Sequence, residues 1–462
     1  MSGSELCSFL KELGYNKLSY IIHDQNPKAH GLEDAEVISK LKDMTPSLLI
    51  IPDAGSMNIE ECGQLKELGW ECVILDHHIV PIEGNPNATL VNCQSSEKVE
   101  NKSASGALVT WHLMHLMNPR IANKYISYAS ISIISDSMSF LTNENITFIY
   151  HGLKRLHPNL ERIVDKIQKD YLPISFAFGG LNPKGNATIR LGTYEDKIRF
   201  FEALCGKDID IDEVVSKLKY YHNKQNEEVK KLLEDHISID NEASNVLLCK
   251  IDCKTPLTGL VANKLMSKSN KPVLMVHERE EGTTEGSARS PIDLKSVFND
   301  SGKFLYAEGH ECSFGLGYST DNENDIKEYL YSLRLSEPQY KVLEEKAVNS
   351  LSYDLIDAYE PYRALYGNDL KEPQYYIETV INKDQISAIG NGTTIKFKIG
   401  NWTFIKFFCS KEWIKGNIED RSKQVKIEMI GSPKWNIWNG RKYPQFVIDK
   451  IEISDFGIDS LF

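Results

Sequence analysis

The chain has 462 residues, 41% apolar and 26% charged, and carries a net charge of −12. That length exceeds one ordinary hydrophobic core, so two to four domains are expected, and the composition is that of a soluble globular protein. No apolar run approaches the roughly 18 residues of a membrane helix, and no basic-then-apolar start marks a secretory signal, so a cytoplasmic location is expected. A nucleic-acid partner would need a local basic groove, or metal ions, to overcome the overall negative field. The nine cysteines form no Cys-x-x-Cys pair; the closest two are Cys249 and Cys253, which fits free thiols in a reducing compartment.

The first readable unit runs from Leu48 to Leu75. SLLIIPD is a short apolar run closed by Pro52 and Asp53. NIEECGQLKEL places Ile59, Cys62, Leu65 and Leu68 at helical spacing. ECVILDHH is the next apolar run. Strand, helix and strand within about 30 residues predict a parallel βαβ unit, whose strands are buried on both faces. Ligands collect at the carboxyl ends of such strands, where Asp53 and Asp76-His77-His78 fall. A third apolar run, YASISIISDSM, is expected to deliver Asp136 in the same manner.

Residues 212–236 carry Val214, Val215, Leu218, Tyr221, Val229, Leu232 and Leu233 on one helical stripe, opposite a charged face. A long connecting helix is expected. NVLLCKI, TGLVANKLMSK, KPVLMVHE and TTEGSARS then read strand, helix, strand, strand: a second α/β domain. A helical segment is expected over roughly 337–358. From 372 onward, strand-like runs separated by Gly, Asn and Pro predict a small β domain, a barrel.

Carboxylate and imidazole donors without cysteine suit Mn²⁺, Mg²⁺ or Zn²⁺ rather than a structural zinc knot. A lone Asp or His at a strand end usually caps a turn. Asp53, His77 and Asp136 at neighbouring ends could ring one ion.

With these residues placed, the chain resembles the DHH phosphoesterases, and among them the RecJ-type single-strand-specific exonucleases. LLIIPDAGS resembles the family's second motif, VILDHHIVP the third and SISIISDSM the fourth. LNPKGNATIRLG resembles a RecJ segment, keeping Pro183, Asn186, Ala187 and Arg190. TEGSARS and EGHECSFGLG resemble the two motifs of the associated DHHA1 domain, and NIWNGRKYPQFVIDKIE resembles the last strands of the RecJ OB domain. The resemblance implies this order: a DHH domain over 1–207, N-terminally incomplete; a linker helix over 208–240; a DHHA1 domain over 241–336; a helical connector over 337–371; and an OB-like β domain over 372–462.

It also implies metal-dependent 5′→3′ hydrolysis of single-stranded DNA. Asp53, His77 and Asp136 would hold Mn²⁺ or Mg²⁺, two ions being the family's complement. Asp76 would orient the ligands, and His78 and His310 would act on the phosphate. Arg289, Ser287, Gly309, His310 and Arg190 would bind the substrate phosphates. The β domain's aromatics, interleaved with cations, suit single strands because bases stack while cations follow phosphates; Trp435, Trp438 and Arg441 are the candidates. Expected partners are single-stranded DNA and single-strand-binding proteins or helicases, with no membrane; the chain is expected to be a monomer.

Three departures matter. Glu308 stands where the family has Gly and would weaken anion binding unless it points away; Ser313 stands for Ala, one small residue for another. The acidic first motif is the third: Met1 falls where that run should already have ended, and His23 and Asp24 are poor substitutes. A preceding segment would supply the run. Otherwise the chain is a catalytically impaired single-strand-binding DHH protein, or a single-metal phosphoesterase. A DHH phosphatase acting on short oligonucleotides is a further alternative, which the OB-like tail disfavours.

Overall fold

The computed structural model describes residues 1–24, 31–80, 84–240, 244–252, 256–269, 271–279, 282–335, 342–390 and 392–456. The chain divides into two compact units, Met1–Glu228 with Ala364–Leu370, and Val229–Arg363 with Lys371–Phe462.

In the first unit the expected βαβ is present. Strand β1 (Leu48–Pro52), the helix Ile59–Glu67 and strand β2 (Glu71–Asp76) follow in order, and β1 pairs with β2 in parallel. A third parallel strand, β3 (Thr89–Asn92), lies on the other side of β2 and sets Asn92 beside Asp76. Cys62, Leu65, Cys72 and Ile74 pack beneath the unit.

YASISIISDSM is not a strand. Ile126–Ser135 is an α-helix, and Asp136 is its C-cap. The run is buried on every side, so it carries no period that separates helix from strand; length decides, and ten residues exceed the strands of this sheet. Its serines are tolerated because they find partners: Ser130 Oγ lies 2.8 Å from Ile126 O and 2.7 Å from Phe148 O, Ser132 Oγ donates to Asp136 at 3.2 Å, and Ser127 Oγ accepts from His157 N at 3.0 Å. The helix Ile211–Asp235 matches the expected connecting helix. Residues 364–370 return to the first unit, where Phe140 N–H donates to Asn368 O at 3.0 Å.

The second unit holds two sheets. One contains β4 (Ile237–Ile239), β5 (Leu247–Ile251), β6 (Val273–Glu278), β7 (Thr283–Arg289), β8 (Tyr306–His310) and β9 (Ser313–Ser319), in the order β4-β5-β6-β7-β9-β8. Its α/β character matches the strand, helix, strand, strand reading, with the helix Thr258–Ser269 between β5 and β6. The other contains β10 (Val342–Glu345), β11 (Gln374–Asn382), β12 (Ser387–Ile389), β13 (Thr394–Ile399), β14 (Trp402–Lys406), β15 (Gln424–Trp438) and β16 (Arg441–Asp455). These order as β10-β11-β15-β16-β14-β13-β12 around a core that includes Ile377, Phe397, Phe404, Ile427 and Phe446.

The helix expected over 337–358 is replaced in part by β10, which pairs in parallel with β11. A 3-10 turn at Val348–Ser350 and the α-helix Tyr353–Tyr359 follow it, and residues 337–341 lie outside the described residues. The edge of β11 supplies the backbone hydrogen bonds that hold β10 extended. Cys253 also lies outside the described residues, while Cys249 is a buried free thiol. Among the described residues no helix is long and apolar enough to cross a membrane.

Candidate metal centre and phosphate-facing residues

Asp53 follows β1 in the left-handed region, φ 70°, and its N–H donates to Leu75 O at 2.6 Å. Aspartate tolerates that conformation better than most residues. The turn aims the carboxylate at His77, whose Nε2 lies 3.2 Å from Asp53 Oδ1. Asp136 arrives from the C-terminus of its helix. One donor atom each from Asp53, His77 and Asp136 lie within 4.8 Å of one another. Ser2 Oγ donates to the second Asp53 oxygen at 3.2 Å.

Charge explains the cluster's state. Burial disfavours the His77 cation, but the hydrogen bond to Asp53 and the charges of Asp136 and Asp76 push its imidazole up to about 9. Burial and the neighbouring Asp53 push the Asp136 carboxyl up to about 6, against the pull of His77. Two carboxylates and an imidazole are thus crowded at an unfavourable density of negative charge. A divalent oxygen-and-nitrogen-binding cation would relieve it, and this donor set suits Mn²⁺, Mg²⁺ or Zn²⁺. The residues present therefore fit one such ion.

Asp76 is not part of that cluster among the described residues. It is 2% exposed, and its two oxygens accept from Ser56 N (3.2 Å) and Oγ (2.7 Å), His77 N (2.7 Å), His78 N (3.2 Å) and His78 Nδ1 (2.7 Å). Burial alone would raise its carboxyl, but the bonds from His78 and Ser56 outweigh it and hold the group well below the usual range. The same bond raises the His78 imidazole above its ordinary value.

Sequence reading missed the supporting residues. Asn92 Nδ2 donates to Ser56 Oγ at 2.9 Å and to His78 O at 3.0 Å, and Gln94 Nε2 donates to His77 O at 3.2 Å. Gly106, first in the helix Gly106–Met117, is the other omission: a Cβ there would lie 1.9 Å from Asp53 Oδ1. The dipeptide Ser105-Gly106, an N-cap followed by a residue without a side chain, was the available signal.

His23 and Asp24 are engaged elsewhere. His23 Nδ1 lies 3.5 Å from Asp34, and Asp24 accepts from Lys197 Nζ at 3.1 Å.

In the second unit, strand pairing aligns the other candidates. Arg289 on β7 pairs with Ser313 on β9, which pairs with His310 on β8, so the three share one rung. Arg289 and His310 are then two strand spacings apart, roughly 10 Å. Ser287, Gly315 and Glu308 form the next rung, which puts Glu308 on the face of Arg289 and His310. Gly286 permits the close β6–β7 approach, since a Cβ there would lie 1.9 Å from Met275 O. Gly309 holds φ 129°, inside the β8–β9 hairpin. In the first unit, Arg190 is exposed on the helix Leu181–Leu191, with Nη1 3.5 Å from Gln225 Oε1.

In the β domain, β15 and β16 extend past their neighbours as a two-stranded arm in which Trp438 pairs with Arg441 and Asn436 with Tyr443. Trp438 is 68% exposed. Trp435 is half-buried: its Nε1 donates to Asp357 at 2.8 Å and its ring packs on Tyr353.

Residues 1–135 match the N-terminal domain of the DHH family, and residues 344–450 match the RecJ OB domain. The chain carries a DHH-family N-terminal domain and a RecJ OB domain. Its relatives include a putative SPbeta prophage-derived single-strand DNA-specific exonuclease, YorK, of Bacillus subtilis, 27% identical over 98% of this chain and 85% of that protein. The single-stranded-DNA-specific exonuclease RecJ of Bacillus subtilis is 21% identical over 96% of this chain, which spans 59% of that longer protein. The chain shares its fold with Thermus thermophilus RecJ solved with Mn²⁺, at a TM-score of 0.76 and 19% identity, over 98% of this chain and 67% of the other.

Proposed function

We propose that this protein hydrolyses the phosphodiester bonds of single-stranded DNA from the 5′ end, using Mn²⁺ or Mg²⁺, in the cytoplasm and as a monomer. The observation that carries the reading is the convergence of Asp53, His77 and Asp136 within 4.8 Å, in a chain matching both the DHH and RecJ OB families. These three residues would hold the ion. A bound divalent ion supplies an activated water and neutralises charge on the phosphorus oxygens.

The chain's own groups do the rest. Asp76 fixes the backbone of both histidines and the ring of His78. His78, held toward its cationic form, faces the phosphate. Arg289, Ser287, Gly309 and His310 grip phosphate in the second unit, and Arg190 does so in the first. Trp438 and Arg441 offer a stacking face on the arm, while Trp435 is committed to Asp357 and braces the arm's base. Single-strand-binding proteins or helicases are the expected partners.

The test is release of nucleotides from a 5′-labelled oligonucleotide with Mn²⁺. His77→Ala should lower the rate at least ~10³-fold, the loss of about 4 kcal/mol of charge stabilisation. Trp438→Ala should weaken binding of long strands by about 1–3 kcal/mol while sparing dinucleotides; equal loss on both substrates would contradict the stacking role.

A second reading, strand binding without cleavage, is favoured by the ligand count. The cluster holds three donors among the described residues, and two ions need more. Strand binding with no nucleotide release by the wild-type chain would select it.

A further inference from the structure

The helix Thr258–Ser269 packs on the β7 face that carries Ser287 and Arg289. Two contacts define the junction. Thr258 Oγ1 and Ser287 Oγ are 3.2 Å apart. A Cβ built on Gly259 would lie 2.2 Å from Arg289 Nη2 and 3.0 Å from its Cζ. On its other side the guanidinium is tied to its own strand, Nη1 donating to Ala288 O at 2.6 Å. The space left at 259 and the carbonyl at 288 thus both bear on where the guanidinium sits.

We propose that Gly259 and Thr258 are positioning residues for phosphate recognition by Arg289 and Ser287; this rests on the exonuclease reading above. The ligand is a phosphodiester of the single strand. Arginine grips phosphate through two parallel N–H bonds, which needs the plane of the fork held in one orientation. Gly259 leaves the space that orientation requires. The atom a new Cβ would strike is the far end of a flexible side chain, so a methyl group at 259 turns the guanidinium away rather than breaking the fold. Thr258 does the corresponding work for the Ser287 hydroxyl.

The experiment compares Gly259→Ala, Thr258→Val, Thr258→Ser and Arg289→Ala in the full chain. Calorimetry with the 5′-phosphorylated dinucleotide pTpT reports binding, and degradation of oligo(dT) with Mn²⁺ gives KM and kcat. Gly259→Ala should weaken pTpT binding and raise KM by roughly tenfold or more, approaching Arg289→Ala, with kcat changed less than about threefold and Tm unchanged. It should also flatten the salt dependence of KM by about one phosphate contact, as Arg289→Ala does. Thr258→Val should raise KM about threefold, and Thr258→Ser should restore it.

Wild-type KM, salt slope and pTpT binding in Gly259→Ala, alongside an impaired Arg289→Ala, would overturn the inference and leave the exonuclease reading standing. A fall in Tm with kcat and KM both affected, and no difference between Thr258→Val and Thr258→Ser, would mark the junction as structural and also overturn it. An Arg289→Ala chain that binds pTpT normally would overturn the phosphate role itself.

Discussion

Asp76→Ala should lower the unfolding free energy of the first unit by about 3 kcal/mol, read as a shift of the urea midpoint at constant slope. The carboxylate is buried and accepts from both backbone and side chain of Ser56 and from the backbone and ring of the histidine pair. Its removal strands the buried Ser56 and His77 donors, while the exposed His78 ring can turn to water. Asp76→Asn keeps the volume but loses the charge and part of the acceptor capacity, so a smaller loss is expected. Both variants should weaken Mn²⁺ binding by about 10–100-fold, the usual effect of removing a group that orients a ligand. An unchanged midpoint in Asp76→Ala would show that the bonds are replaced by solvent.

Gly106→Ala should abolish tight Mn²⁺ binding while costing about 1–3 kcal/mol of stability. The added Cβ would sit 1.9 Å from Oδ1, 2.3 Å from Cγ and 2.7 Å from Cβ of Asp53. Asp53 has little room to retreat, because its left-handed backbone is tied to Leu75 O. The carboxylate must therefore rotate away, which breaks its contact with His77. Manganese titration followed by calorimetry measures the effect. Wild-type affinity in this variant would mean that the Gly106–Met117 helix shifts instead of the carboxylate.

These two residues show where sequence reading stopped. Asp76-His77-His78 was legible because an apolar β2 ends abruptly in three polar donors, and a parallel strand that is buried on both faces ends that way only at a rim. Gly106 was not. It lies 53 positions after Asp53 in the sequence, and only packing reveals that a helix start presses on the carboxylate. Asn92 and Gln94 were missed for the same reason: β3 is four residues long and its alignment with Asp76 comes from sheet pairing.

Asp136 is the instructive intermediate case. It lies beside Asp53 and His77, but at the end of a helix and not of the expected strand, since a wholly buried run looks alike as helix or strand. Glu308 is similar. Sequence showed the substitution, and the pairing of β8 with β9 placed it on the face of Arg289 and His310.

Sequence by itself determined the donor types, the order of the motifs and the division into α/β and β-rich parts, because these follow from residue chemistry and local hydrophobic period. Only the tertiary structure decided which donors meet, which carboxylate joins His77 and which one is held by Ser56 and His78, and that Gly259 faces Arg289. Those are contacts between segments tens of residues apart, set by strand register and helix packing, and no local pattern encodes them.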